Sequence, residues 1–177
     1  MIVFRQADPR YPFLWESSDQ PAGRWHGSGE GPAHYFADTP DGAWAELLRH
    51  EEITDPEDLA TIRRALWAVD IGCPDLATVE LPAAELTGGL ESWPACQRAA
   101  RRLRTQTTGG LTAVSAALRP GSARGWRVAG GQQPGGPRDG RVIVLFGAAP
   151  ELVGWRCVDQ GSPPTGMLAS VRHYRDR

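Results

Sequence analysis

The chain contains no lysine. All 19 of its basic side chains are arginine, set against 21 acidic ones for a formal charge of −2. That balance gives no global basic field, so direct nucleic-acid binding is not expected. The arginine skew, with abundant Ala and Gly, reads as a GC-rich coding bias as readily as a functional choice. Cysteine is scarce: Cys73, Cys96 and Cys157. Their number is odd and no two sit at metal-ligand spacing, which argues against a disulfide framework and against a metal site. A reduced, cytoplasmic setting fits. Apolar runs are far too short to span a bilayer. The opening text, MIVFRQADPRYPFLWE, has no basic segment followed by a long apolar one, so neither a signal peptide nor a membrane association is expected. Internal repeats are lacking. So are a dinucleotide-binding GxGxxG, an HExxH cluster and a GxSxG elbow.

What is present suits one folded domain. The chain has 177 residues, 41% hydrophobic and 23% charged, enough to bury a core without staples. Short strands are expected at 2–5 (IVFR), 34–37 (HYFA), 65–71 (ALWAVDI), 76–81 (LATVEL), 111–118 (LTAVSAAL), 141–146 (RVIVLF) and 152–158 (LVGWRCV). Between them stand helical patterns. Thr39 or Asp38 caps a helix with Pro40 in its first turn and a body over 43–50. Asp55 caps a second over 56–64. A third covers 93–104, with Cys96, Ala99, Ala100 and Leu103 on one stripe and arginines opposite; Gly109-Gly110 ends it. Residues 6–33 and 119–140 are rich in Gly and Pro and read as loop, the second unable to form core and free to move. Strands and helices follow no regular βαβ rhythm, so the expected class is α+β, with short mixed or antiparallel strands and flanking helices.

Four residues stand out chemically. Glu46 lies among Trp44, Ala45, Leu47 and Leu48, where a carboxylate needs a partner or a task; alone it reads first as an exposed glutamate on a short helix. Arg24 lies in AGRWHGSGEG, where a guanidinium fork beside glycines can hold a phosphate, or simply mark a turn. Tyr35 fills core space or faces a ligand ring. Ser115 interrupts a strand of small residues, as a hydrogen-bonding serine or a plain strand serine. Trp25 has neighbours that suggest a ligand wall, and His26 can line the same site. His34, His50 and His173 form no ligand cluster and read as structural or exposed.

Order and spacing change the weight of these residues. Gly23-Arg24-Trp25 is followed by Tyr35-Phe36-Ala37-Asp38-Thr39-Pro40 and then by Ala43-Trp44-Ala45-Glu46, with His50 beyond. Eleven positions separate Arg24 from Tyr35, and 11 more separate Tyr35 from Glu46. This text resembles the RES-domain family, named for its Arg, Glu and Ser. The helix over 93–104, the Ser115 strand and RVIVLF resemble the family's closing region more loosely, so the likeness covers most of the chain, with 119–140 as a flexible insertion. The chain departs from the family at His26, where Asn is frequent, and at Val114, where Pro commonly precedes the serine.

The resemblance implies an ADP-ribosyltransferase-like fold and a toxin of a toxin–antitoxin pair that degrades NAD+. The nicotinamide–ribose bond would be cut by phosphorolysis or hydrolysis. NAD+ is then a substrate, inorganic phosphate a co-substrate if it is the attacking group, and no cofactor is resident. The implied partner is a helix-turn-helix antitoxin. Arg24 would hold the phosphates, Glu46 the ribose and Tyr35 the nicotinamide end, with Ser115, Trp25 and His26 binding substrate. Two other readings use the same residues: an ADP-ribosyltransferase modifying a macromolecule, and an NAD-binding module without catalysis.

Overall fold

The computed structural model describes residues 1–177 except 15, 18, 19, 107, 108, 150 and 175–177. Seven strands form one sheet: β1 (Ile2–Ala7), β2 (Ala33–Ala37), β3 (Arg64–Asp70), β4 (Leu76–Thr78), β5 (Gly110–Val114), β8 (Arg141–Phe146) and β9 (Val153–Gly161). Their order is β4-β5-β8-β2-β1-β3-β9. Only β4 and β5 run parallel; the other neighbours are antiparallel. A separate hairpin is made by β6 (Trp126–Val128) and β7 (Gln132–Pro134). The α+β class expected from the sequence holds.

The helices lie mainly on one face of the sheet. α1 (Pro40–His50) starts where Thr39 Oγ1 accepts the Gly42 N–H, with Pro40 in the first turn and Arg49 and His50 in the last. Gly42 lets it approach the sheet, because a Cβ there would stand 2.8 Å from that of Ala37. α1 packs Ala43, Trp44, Leu47 and Leu48 against Leu66, Leu118, Met167 and Val171. α4 (Trp93–Arg104) packs Cys96, Ala99 and Ala100 against Trp25, Leu111 and Ala113. A third cluster on the opposite face joins Val3, Phe36, Val69, Ile143 and Leu145. Two helices thus cover different halves of one face. At the boundary between those halves β1 and β2 share a single register pair, Phe4 with Ala37. The sheet parts there.

Several elements depart from expectation. The helix over 56–64 is one turn, α2 (Pro56–Leu59), capped by Asp55; from Arg64 the chain is already paired in β3, and strand pairing wins over local helical pattern. The strand at 76–81 stops at Thr78, and residues 82–92 hold α3 (Ala83–Thr87) and a 3₁₀ turn over Leu90–Ser92. α4 ends at Arg104 before the glycines, and Gly110 opens β5, because a Cβ there would meet Val144 O at 2.2 Å. β5 closes at Val114, so Ser115–Leu118 turn out of the sheet. Within 119–140 the structure has the hairpin and one core residue, Ala123. The tail carries a 3₁₀ turn over Thr165–Ser170. No helix among the described residues is long and apolar enough to cross a membrane.

Candidate active site

The GRWH text makes a tight turn. Gly23 N donates to His26 O at 2.9 Å, and Arg24 and Trp25 occupy its tip. Trp25 is 1% exposed and fills the α4 core, so it is not a wall of the cleft. Its backbone N–H contributes instead, donating to Tyr35 Oη at 2.9 Å. The Tyr35 hydroxyl lies 2.8 Å from His26 Nδ1, and His26 Nε2 lies 2.9 Å from Pro21 O. A carbonyl can only accept, so Nε2 carries the proton and the Tyr35 hydroxyl donates to Nδ1. Burial agrees with this neutral ring, pushing His26 down and Tyr35 up in pKa. Gly23 leaves room for the chain of bonds: a Cβ there would lie 2.7 Å from Tyr35 Oη. Tyr35 therefore offers the cleft its ring, while its hydroxyl is tied behind it.

Glu46 projects from α1 and is partly exposed to the cleft. The Ser115 hydroxyl donates to its Oε1 at 3.1 Å and accepts the N–H groups of Ala117 and Leu118 at 3.1 and 3.2 Å. The turn that ends β5 thereby fixes the serine, and the serine fixes the carboxylate. Burial raises the Glu46 pKa, opposed by the Ser115 bond and by the charges of Arg49, Arg24 and His50.

Arg24 is 8% exposed. Its Nη1 reaches Glu85 O at 3.0 Å and Ser92 Oγ at 2.8 Å, and its Nη2 reaches Gly88 O at 2.6 Å. The fork expected to face phosphate is engaged by carbonyls at the end of α3. Arg49, which sequence reasoning missed, lies one helical turn beyond Glu46. It donates to Ala116 O, Arg172 O, Thr87 O and Gly88 O, the last at 2.6 Å. Its guanidinium also lies 4.4 Å from the Tyr174 ring centroid. Its position three residues after Glu46 on the same helix was the available signal. The Gly27–Gly31 loop is pinned to α4, with Glu30 paired to Arg101 and bonded to Gly27 N.

Two cavities meet at Tyr35, Glu46 and His50. One, of about 270 Å³, is lined also by Gly23, Arg24, His26 and Trp93. The other, of about 230 Å³, lies where β1 and β2 part, so residues of both sheet faces reach it: Phe4 and Arg5, Tyr35 and Phe36. Together they fall in the range of about 300–1,000 Å³ common for small-ligand sites. Arg5 was also missed. Among the described residues, its Nη1 and the neighbouring Gln6 Oε1 are buried with no hydrogen-bond partner. An arginine and a glutamine following an apolar strand start were the only sequence trace. Among the described residues no group of three or more His, Cys, Asp or Glu is placed to hold a metal ion.

Comparison with known proteins gives this arrangement relatives. A family model described as the RES domain matches residues 3–165. Toxin Res of Pseudomonas putida is 46% identical over 63 residues, 35% of this chain and 40% of that protein. The match thus spans less than half the length of that curated relative. Among solved structures, a chain in the crystal structure of the M. tuberculosis MbcT–MbcA toxin–antitoxin complex superposes with a TM-score of 0.56 at 17% identity. That superposition covers 92% of this chain and 84% of the other, a likeness of fold.

Proposed function

The chain belongs to the RES-domain family, and on that footing we propose that it is the toxin of a toxin–antitoxin pair and consumes NAD+ by cutting the nicotinamide–ribose bond. The observation that carries the reading is Glu46, a carboxylate held by Ser115 at the junction of two cavities. As the bond breaks, its electron pair leaves with nicotinamide and positive charge grows on the ribose, as in glycoside cleavage. A fixed, poorly solvated carboxylate beside that carbon stabilises the charge without reorganising. Inorganic phosphate then bonds to the same carbon, or water does so and releases a proton. The Tyr35 ring, with its hydroxyl locked, is the wall against which nicotinamide stacks.

The cation assigned to the pyrophosphate changes from the sequence-based expectation. Arg24 is bonded to carbonyls, whereas Arg5 lines the seam cavity and its Nη1 has no hydrogen-bond partner among the described residues. Arg5 thus suits the phosphates, and Arg24 the support of the α3 end that frames the site. NAD+ is substrate here and no resident cofactor enters. An antitoxin partner follows from the names of the relatives, and its helix-turn-helix type from the family resemblance.

The test is nicotinamide release from NAD+ by the purified protein, followed by chromatography with and without inorganic phosphate. Wild-type protein should release nicotinamide, and Glu46→Gln should reduce the rate at least a hundredfold with its thermal transition retained. Dependence on phosphate, with ADP-ribose 1-phosphate as product, assigns phosphorolysis. No release in either condition removes the reading.

A further inference from the structure

The β6–β7 hairpin turns its apolar side chains to solvent. Trp126 and Val128 alternate onto one face of β6, opposite Pro134 and Gln132 of β7. They are 68% and 90% exposed and join none of the three core clusters. A two-stranded hairpin with an uncovered apolar face is marginal in water. Its charge has one sign. Residues 124–138 contain Arg124, Arg127 and Arg138 and no acid. Arg138 is held by Asp38, whereas Arg124 and Arg127 enter no ion pair among the described residues.

The complement lies at the other end of α1. Asp38, which anchors the hairpin base, stands just before that helix, and a pocket of about 450 Å³ opens at its last residue, His50. α1 has 11 residues and is about 16 Å long. Glu51, Glu52, Leu90, Trp93 and Tyr174 complete the pocket, with Leu90 61% exposed. The chain beyond carries on the same charge: Glu51, Glu52, Asp55, Glu57 and Asp58 are all exposed, and no base stands between 51 and 58. Aromatic walls and an acidic rim suit an indole flanked by guanidinium groups. No hairpin residue lines the pocket of its own chain.

We propose that the occupant is a second copy of this chain. Trp126 of each copy seats in the pocket beside His50 of the other, with Arg124 and Arg127 against the acidic run. Every chain carries both hairpin and pocket, and they lie at opposite ends of one helix. A two-fold axis that sets the two α1 helices antiparallel therefore brings both contacts together and closes the pair. The pocket shares His50, Trp93 and Tyr174 with the cavity lined by Glu46. A seated indole thus lies over the mouth of the cleft. The association does not depend on the NAD+ reading. Its effect on catalysis rests on that reading: nicotinamide release per chain should fall as the protein is concentrated.

The test is sedimentation velocity of the whole chain over a concentration series, with nicotinamide release measured on the same samples. Wild-type protein should pass from monomer to dimer as concentration rises. Trp126→Ala should weaken the pairing by about tenfold or more. Glu51→Arg sets like charges against the hairpin; it should weaken pairing too, and less so in high salt. Both positions are exposed, so neither variant disturbs the core. An equimolar mixture of the two variants should pair better than either alone, because an intact pocket then meets an intact hairpin. A wild-type chain that stays monomeric, or dimers unmoved by either variant, overturns the proposal and points the hairpin to a different protein. Dimers that release nicotinamide as fast per chain as monomers overturn the covering of the cleft. Dimers with the expected variant behaviour, in a protein that releases no nicotinamide, remove the NAD+ reading and keep the pairing.

Discussion

The Glu46 carboxylate accepts a hydrogen bond from Ser115 and, among the described residues, forms no ion pair. Burial raises its pKa above the ordinary 4.5, although three basic side chains lower it in part. A carboxyl whose folded pKa is raised binds its proton more tightly in the fold than in the open chain. It favours folding below its unfolded pKa, and this contribution is lost as pH rises through the folded value. Once ionised, the group therefore costs stability. Glu46→Gln should therefore melt higher than wild type at pH 7. The gap should close as pH falls toward 4.5. Scanning calorimetry of both proteins at several pH values checks this; a variant that melts lower at pH 7 contradicts the assignment. The residue proposed to carry the chemistry is then one whose charge strains the fold, as at many active sites. Glu46, Tyr35 and Ser115 were legible because a short spacing on one strand and one helix already brings two of them together. Arg5 and Arg49 were not. Arg5 gains meaning only where β1 and β2 part, and Arg49 only through carbonyls from residues 38, 39, 67 and 123 positions away.

Elements set by local signals were the most legible. α4 and β8 lie at 93–104 and 141–146, where the apolar stripe and the β-branched run put them. Elements set by distant pairing were less so. β3 takes over at Arg64 because β1 and β9 are there to pair with it. The α3 turn carries no strong pattern, and its place depends on Arg24 and Arg49 reaching Gly88 O. The 119–140 segment divides into two parts with different duties. Ala123 packs in the core, and Gly121 N and Arg138 anchor the base through Asp139 and Asp38. The hairpin beyond is exposed, Trp126 at 68% and Val128 at 90%. Gly135 N donates to Gly125 O at 3.0 Å, so the hairpin's ends already touch. Replacing residues 126–134 by a two-residue Gly-Ser link should leave the melting temperature within about 2 °C, since exposed substitutions away from packing stay near ±0.5 kcal/mol. A drop of 10 °C would mean that the hairpin supports the core despite its exposure.

At the scale of the molecule, the cleft is assembled by one strand. β8 lies between β2 and β5, with Tyr35 and Leu111 both in register with Val144. It buries Val142, Ile143, Val144 and Leu145, two toward the α4 core and two toward the opposite one. At about 1.5–3 kcal/mol for each side chain buried, their removal approaches the whole net stability of a domain, about 5–15 kcal/mol. The same segment locks the site's parts. Arg141 N donates to Asp38 Oδ1 at the entry to α1, and Ser115 N donates to Gly140 O. Arg5, Tyr35 and Glu46 come from the first 50 residues, yet they meet Ser115 only once this late strand is in place. A chain ending at residue 139 should therefore not fold as a smaller version of the protein. It loses Gly140, the strand and β9, and leaves β2 and β5 each without a neighbour on one side. Its amide proton spectrum should lack dispersion and its thermal scan should lack a cooperative transition. Adding residues 140–177 as a separate peptide should restore both if β8 pairing is what completes the sheet. A truncated chain that melts cooperatively on its own would show that β1, β3 and α1 form a core without it, and that the two halves of the cleft fold apart.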